Sequence, residues 1–319
     1  MNKFKELQKV LEGKTSFLLL VHEDPDGDAI GAILSFGQYL LDKGKEVRMV
    51  SKDNLPTFFS FLNGDEEIDR DFLAGDYDVI ILIDNGDLRR TGFAERISNA
   101  KKKGKTIINI DHHTQNDIWK IADINIAYPD YSSTCEIIYD ILISDKYEIN
   151  PKIATNLLAG IYYDTGGFQH SNTTQRVLRV VSELLQRGAK LRKISSNISQ
   201  ARSLGMLKLW GVALDRIVVL KKYGLAYSII TQNDIKNSGA TEEEISGLVN
   251  LINTTAEAEA SLLICEANNG KIKGSLRTES DKIDVSRLAK EMGGGGHKKA
   301  AGFSLNAKII QDGDNWRIE

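Results

Sequence analysis

Seven consecutive residues, His22-Glu23-Asp24-Pro25-Asp26-Gly27-Asp28, carry one imidazole and four acids. Acids this close repel one another unless a cation neutralises them. Three more stretches offer the same ligand types: Asp84-Asn85-Gly86-Asp87, Asp111-His112-His113, and Asp164 within Tyr163-Asp164-Thr165-Gly166-Gly167. Taken singly, most of these read as ordinary turns, because Asp and Gly are common after strands. Taken together they offer mixed carboxylate and imidazole ligands in numbers sufficient for two divalent ions.

Such residues act together only if the fold gathers them. The first three stretches directly follow apolar, β-like runs at 17–21, 79–83 and 106–110. In an open α/β sheet the carboxyl ends of parallel strands face one crevice, so groups at those ends converge. The rest of the N-terminal half fits that frame. Helices are expected at 4–11, 27–41, 132–143 and 152–163. A further helix runs from N-cap candidates at 171–174 through 185, with Gly188 as its C-cap. Strands are expected at 17–21, 46–50, 78–83 and 105–110. The pattern predicts a mainly parallel, doubly wound α/β domain over 1–188. A polar, basic stretch at 189–205 reads as a linker, and a smaller α+β domain follows at 206–319. In that domain, strands at 216–221 and 225–230 flank Tyr223-Gly224, and strands at 260–266 and 271–276 flank Asn268-Asn269-Gly270. Helices are expected at 243–252 and 283–292.

Composition removes several function classes. Basic and acidic residues number 41 and 44, a net charge of −3. That disfavours a broad basic face for duplex DNA but permits a small anionic ligand. The two cysteines, Cys135 and Cys265, are far apart and lack neighbouring Cys or His, which argues against a disulfide scaffold or a zinc thiolate site. The charged start of the chain has no apolar signal core, and no apolar run is long enough to span a bilayer. A cytoplasmic protein without a membrane partner is expected; a homodimer is left open.

Near the C-terminus, Gly293-Gly294-Gly295-Gly296-His297-Lys298-Lys299 joins a glycine run to a His and two Lys. Glycines let a backbone approach a ligand closely and present N–H groups to it. Arg277, at the end of the 271–276 strand, suits a phosphate or a base. The alternative is a flexible loop with a solvated lysine pair.

With these motifs the chain resembles the DHH phosphoesterase superfamily, whose name spells the Asp111-His112-His113 triplet. The segment from Gly293 to Phe303 is similar to the signature of the DHH-associated C-terminal domain. The resemblance spans nearly the whole chain and points to its stand-alone branch. It implies two divalent ions, with Mn²⁺ suited to the mixed ligands. One would be held by His22, Asp26 and Asp84, the other by Asp28, Asp84, His112 and Asp164. Asp84 would serve both and be catalytic. Asp111 would orient His112 or pack its loop, and Asp24 would be an accessory acid. His113 would face the substrate phosphate as a hydrogen-bond donor or the leaving group's acid. Arg277, Gly295 and His297 would bind the substrate as the C-terminal domain closes over the metals.

The activity so implied is hydrolysis of short oligoribonucleotides, or of linear dinucleotides such as pApA, to 5′-mononucleotides. A 3′-phosphoadenosine 5′-phosphate phosphatase activity would accompany it. The alternatives are a cyclic-di-AMP phosphodiesterase and a non-catalytic nucleotide-binding protein. A pyrophosphatase shares the N-terminal motifs, but pyrophosphate has no nucleoside for a glycine-rich domain to read.

Overall fold

The computed structural model describes residues 3–62, 68–114, 116–200, 203–267, 270–312 and 315–318. The chain forms two compact units, Met1–Ala201 and Arg202–Glu319.

In the first unit, Ser-Phe-Leu-Leu-Leu forms β1 (Ser16–Leu20). It is followed by β2 (Glu46–Val50), β3 (Ile68–Asp69), β4 (Val79–Ile83), β5 (Thr106–Asp111) and β6 (Ile124–Ala127). All pair in parallel, in the order β3-β2-β1-β4-β5-β6. The near-continuous apolar runs of β1 and β4 reflect burial on both faces. Phe17, Leu19, Ile81, Ile83 and Ile110 face one core, while Leu18, Leu20, Ile80, Leu82 and Ile107 face the other. The order reverses between β1 and β4. In open sheets of this kind, ligands bind at such a switch point, outside the carboxyl ends of the two strands.

The Gly27–Asp42 helix leaves β1 and packs on the Pro151–Asp164 helix. Their backbones approach so closely that a Cβ on Gly31 would lie 2.4 Å from the Asn156 carbonyl oxygen. A Cβ on Gly160 would lie 2.8 Å from Asp28 Oδ1. This crossing sets Asp28 and Asp164 at their depth. Further helices form at Ala94–Lys102, Thr134–Ser144 and Gln175–Gln186, the last capped by Thr174.

The stretch expected to be a linker is helical at Leu191–Ser195 and forms a π-turn at Ser196–Gln200. Its polar composition hid the spacing of Leu191, Ile194 and Ile198, which pack on the first unit's core. Residues 201–202 of the expected linker lie outside the described residues.

The second unit begins with the Leu204–Asp215 helix. Its strands are β7 (Val218–Leu220), β8 (Leu225–Ile230), β9 (Ala260–Glu266), β10 (Ile272–Thr278), β11 (Gly295–Gly296) and β12 (Ala300–Leu305). They form a mixed sheet, β11-β12-β10-β9-β8-β7, in which only β8 and β9 pair in parallel. Two short strands, β13 (Ile309–Asp312) and β14 (Asn315–Ile318), pair separately. The helix expected over 243–252 is two pieces, Glu243–Ile245 and Leu248–Ile252, because Gly247 between them takes φ +86. Of the Asn268-Asn269-Gly270 turn, residues 268–269 lie outside the described residues.

Candidate metal centre

The first acidic stretch divides by orientation. His22 is buried, and its Nδ1 lies 2.6 Å from the Glu23 carbonyl oxygen. That acceptor fixes the proton on Nδ1 and turns the Nε2 lone pair inward. Nε2 lies 4.0 Å from Asp26 Oδ1 and 3.9 Å from Asp84 Oδ2. Asp26 also caps the Gly27–Asp42 helix, accepting from the backbone N–H groups of Asp28 and Ala29. Asp28 is fully buried and accepts from Thr134 N at 2.6 Å and Cys135 N at 2.9 Å. It therefore sits on the N-terminus of the Thr134–Ser144 helix, where the backbone dipole favours an anion. Asp24, expected as an accessory acid, is exposed at φ +50, and its N–H donates to Asp53.

Asp84 follows β4 in the left-handed region, at φ +58, and accepts from Thr134 Oγ1 at 3.0 Å. Its other contacts radiate to His22, to His112 Nε2 at 3.7 Å and to His113 Nδ1 at 3.5 Å. Asn85 Nδ2 donates to Leu20 O and Ile83 O, tying the ends of β1 and β4 together beneath the site. Asp164 closes the Pro151–Asp164 helix, with Oδ2 3.3 Å from His112 Nε2.

Of the two roles expected for Asp111, orienting His112 or packing its loop, the structure shows loop packing together with a bond to the other histidine. Asp111 accepts from His113 Nδ1 at 2.6 Å, from His113 N at 3.0 Å and from Gly86 N at 3.1 Å. It thus orients His113 rather than His112. The backbone turn carries the 113 side chain back onto the carboxylate, while His112 points toward Asp84 and Asp164.

The electrostatics follow from burial. Burial, followed by the charge of Asp26, pushes the Asp28 carboxyl up to about 6. Asp84 and Asp164 are raised well above the usual carboxylate range by burial and by the neighbouring acids, Asp28 foremost. His22 is lowered by burial. Asp111 behaves oppositely. Burial would raise it, but the bond and charge of His113 outweigh that and hold it at about 2. Burial lowers the His113 ring, but the bond and charge of Asp111 outweigh it and leave the ring raised.

Three ligand groupings result: His22, Asp26 and Asp84; Asp28, His112 and Asp164; and Asp84, His112 and His113. Within each, the candidate atoms lie within 4.8 Å of one another. Several buried carboxylates facing inward-turned imidazole nitrogens form a donor set suited to divalent cations. Sequence reasoning missed the supports: Thr134, the 134–135 amides and the anchoring role of Asn85. Their decisive partners, Asp28, Asp84 and Leu20, lie tens of positions away, so no local signal marks them.

In the second unit, Arg277 on β10 is half-buried, and its Nε donates to Asn250 Oδ1 at 2.9 Å. His297 is exposed and closes a turn with Ala300. Within the glycine run, Gly293 at φ +75 and Gly296 at φ +140 need their conformations. A Cβ on Gly294 would lie 2.1 Å from the Gly302 carbonyl oxygen, whereas one on Gly295 would meet nothing. Lys298 and Lys299 bind the 279–281 loop: Lys298 donates to Asp281 O, and Lys299 pairs with the Asp281 carboxylate at 2.8 Å.

Residues 16–161 match the DHH family N-terminal domain, and residues 222–313 match the DHHA1 domain. A Thermus thermophilus protein named bifunctional oligoribonuclease and PAP phosphatase NrnA is 30% identical over 301 residues, covering 94% of this chain and 86% of the relative. The chain belongs to the DHH family. Another DHH-family relative, from Bacillus subtilis and bearing the same name, is 27% identical over 304 residues, covering 94% of this chain and 92% of its own. The crystal structure of an exopolyphosphatase-related protein from Bacteroides fragilis superposes with a TM-score of 0.87 at 27% identity, covering 94% of this chain and 90% of that one. A structure of exonuclease RecJ bound to manganese shares the DHH fold at a TM-score of 0.51 and 12% identity, covering 96% of this chain and 90% of that one.

Proposed function

We propose that this DHH protein is a two-metal phosphodiesterase, best served by Mn²⁺. Its substrates would be short oligoribonucleotides or linear dinucleotides such as pApA, cut to 5′-mononucleotides. The chain is a hydrolase of phosphoester bonds; the metal, the chain length and the site roles are the finer reading. The observation that carries it is Asp84, which sits between the His22–Asp26 pair and the His112–Asp164 pair at the switch point of the sheet. A 3′-phosphoadenosine 5′-phosphate phosphatase activity is the second reading, favoured by the name shared by the Thermus and Bacillus relatives.

The donor set fits two divalent ions, one held by His22, Asp26 and Asp84, the other by Asp28, Asp84, His112 and Asp164. When bound, such ions supply Lewis acidity toward phosphate oxygens and toward water. The residues around them do the rest. The 134–135 amides and Thr134 Oγ1 hold Asp28 and Asp84 in place. The Glu23 carbonyl keeps His22 in the tautomer that faces inward. Asp111 keeps His113 protonated on Nδ1, so any donation by this ring to the substrate comes from Nε2. In the second unit, Arg277 and His297 would bind the nucleotide, and Gly295 would admit it close to the backbone.

The deciding experiment incubates the Mn²⁺-loaded protein with pApA, RNAs from two to about twenty nucleotides, cyclic-di-AMP, 3′-phosphoadenosine 5′-phosphate and pyrophosphate, with products read by chromatography. Fastest release of mononucleotides from the shortest RNAs or pApA supports the reading. Pyrophosphate or cyclic-di-AMP as the best substrate would overturn it.

A further inference from the structure

Arg90 is a group at the centre that no ligand set uses. It lies in the loop after β4, and that loop is fastened to the acidic stretch. Asp87 Oδ1 accepts from Arg90 N at 3.0 Å, and Arg90 O accepts from Glu23 N at 2.6 Å. The side chain then runs back to the site, where one terminal nitrogen lies 3.3 Å from His22 Nδ1. This approach is not a hydrogen bond. His22 Nδ1 carries the proton it donates to the Glu23 carbonyl at the much shorter 2.6 Å, and a guanidinium N–H cannot donate to an N–H. Among the described residues, no ion pair with a carboxylate engages Arg90. A cation with unspent donors thus stands at the rim of an acidic centre while remaining exposed to solvent.

Gly86 explains how it reaches that place. Gly86 takes φ +65, and a Cβ there would lie 3.1 Å from Arg90 Nη1 and 3.4 Å from the His113 ring. With no side chain on Gly86, the guanidinium and the His113 imidazole both come close to one bare stretch of backbone beside Asp84. A guanidinium with unused N–H groups beside an imidazole suits the non-bridging oxygens of a phosphate.

We propose that Arg90 contacts the substrate, its guanidinium binding a non-bridging oxygen of the scissile phosphodiester beside the His113 imidazole. The proposal rests on the phosphodiesterase reading of the centre but not on the nucleotide. The test therefore uses probes without a nucleoside: bis(p-nitrophenyl) phosphate for turnover, and inorganic phosphate for binding by calorimetry to the Mn²⁺-loaded protein. Arg90→Ala should keep the wild-type metal content and melting temperature. Its kcat on the chromogenic diester and on pApA alike should fall on the order of ten- to a hundredfold, with phosphate binding weakened about tenfold. Arg90→Lys should recover part of the loss, and added guanidinium should partly rescue Arg90→Ala. Arg89→Ala, which removes the neighbouring exposed cation, should behave as wild type. Loss of metal in Arg90→Ala would show that the residue serves His22 instead. Unchanged turnover and phosphate binding would show no contact at all. An equal loss in Arg89→Ala would reduce the effect to the general field of the loop. If pApA resists cleavage while the chromogenic diester responds as stated, the oligonucleotide reading fails and the Arg90 contact stands.

Discussion

The two units prepare for a ligand in opposite ways. In the DHH unit three of the candidate metal ligands are sunk into the protein, with relative exposures of 2% at His22, 0% at Asp28 and 2% at Asp84. Each is held by backbone amides, carbonyls or a hydroxyl. In the DHHA1 unit, Arg277 is half-buried, His297 is exposed, and most of the glycine run serves the fold. Buried carboxylates that repel one another must take up protons or a cation, so that centre carries its demand for positive charge in its own stability. The DHHA1 residues carry no such debt, and their roles will show only with substrate present.

The largest effect should come from breaking the shared ligand. Asp84→Ala should cut activity on the order of a thousandfold or more, because one residue faces both ligand groups. EDTA should silence the wild type, and Mn²⁺ should restore it better than Mg²⁺. Most of the wild-type rate surviving in saturating Mn²⁺ would end the two-metal assignment.

The debt itself is measurable. Asp28 moves from 3.8 to about 6 in the fold. The folded state thus keeps a proton that the unfolded chain has already lost. A raised carboxyl contributes its full stability below the unfolded value and loses it as pH rises through the folded one. Metal-free protein should therefore lose about 2 kcal/mol from Asp28 alone between pH 4 and 7, and more with Asp84 and Asp164. Saturating Mn²⁺ should reverse the loss at pH 8, since it binds only the folded form. Urea melts at pH 5 and pH 8, with and without Mn²⁺, test this. Parallel metal-free and metal-loaded profiles would contradict it.

Within the triplet, His112→Ala should lose metal and rate together. His113→Ala should retain metal, with kcat reduced about a hundredfold. Asp111→Asn removes the charge that raises the His113 ring, so the alkaline limb of kcat should move to lower pH. Equal metal depletion in the two histidine variants, by elemental analysis, would dissolve the division of roles.

The smallest effects belong to the DHHA1 unit and sharpen the contrast. Arg277→Ala should raise KM for a dinucleotide about ten- to a hundredfold, the value of a charge-assisted hydrogen bond, with little change on a minimal chromogenic diester. Gly295→Ala is the cleaner probe, because the fold leaves room for the methyl. It should raise KM several-fold with an unchanged melting temperature, roughly within one degree. Gly294→Ala should instead destabilise the unit. A wild-type KM in Gly295→Ala would remove that position from the substrate site.

Much of this was legible in the linear chain because its signals are local. Near-continuous apolar runs marked β1, β4 and β5, and strand ends told where acids and imidazoles would gather. The reading stumbled where local chemistry misleads. Basic, Ser-rich residues at 191–200 looked like a linker, yet three spaced apolar side chains make that segment helix. The short β3 and β6 offered too few residues for a pattern.

The sequence by itself determined the inventory: which side chains bear ligand atoms, and which strands deliver them. Tertiary structure decided their assignments. It gave Asp111 to His113 rather than to His112, seated Asp28 on the Thr134 helix, and set Arg90 against His22. It also separated Gly295 from the glycines that the fold itself requires. The physical reason is range. Hydrophobic periodicity is written within a dozen residues, whereas a carboxylate's partner is chosen by how strands and helices pack. The contacts between Asp28 and Thr134, and between Arg90 and His22, span 106 and 68 residues.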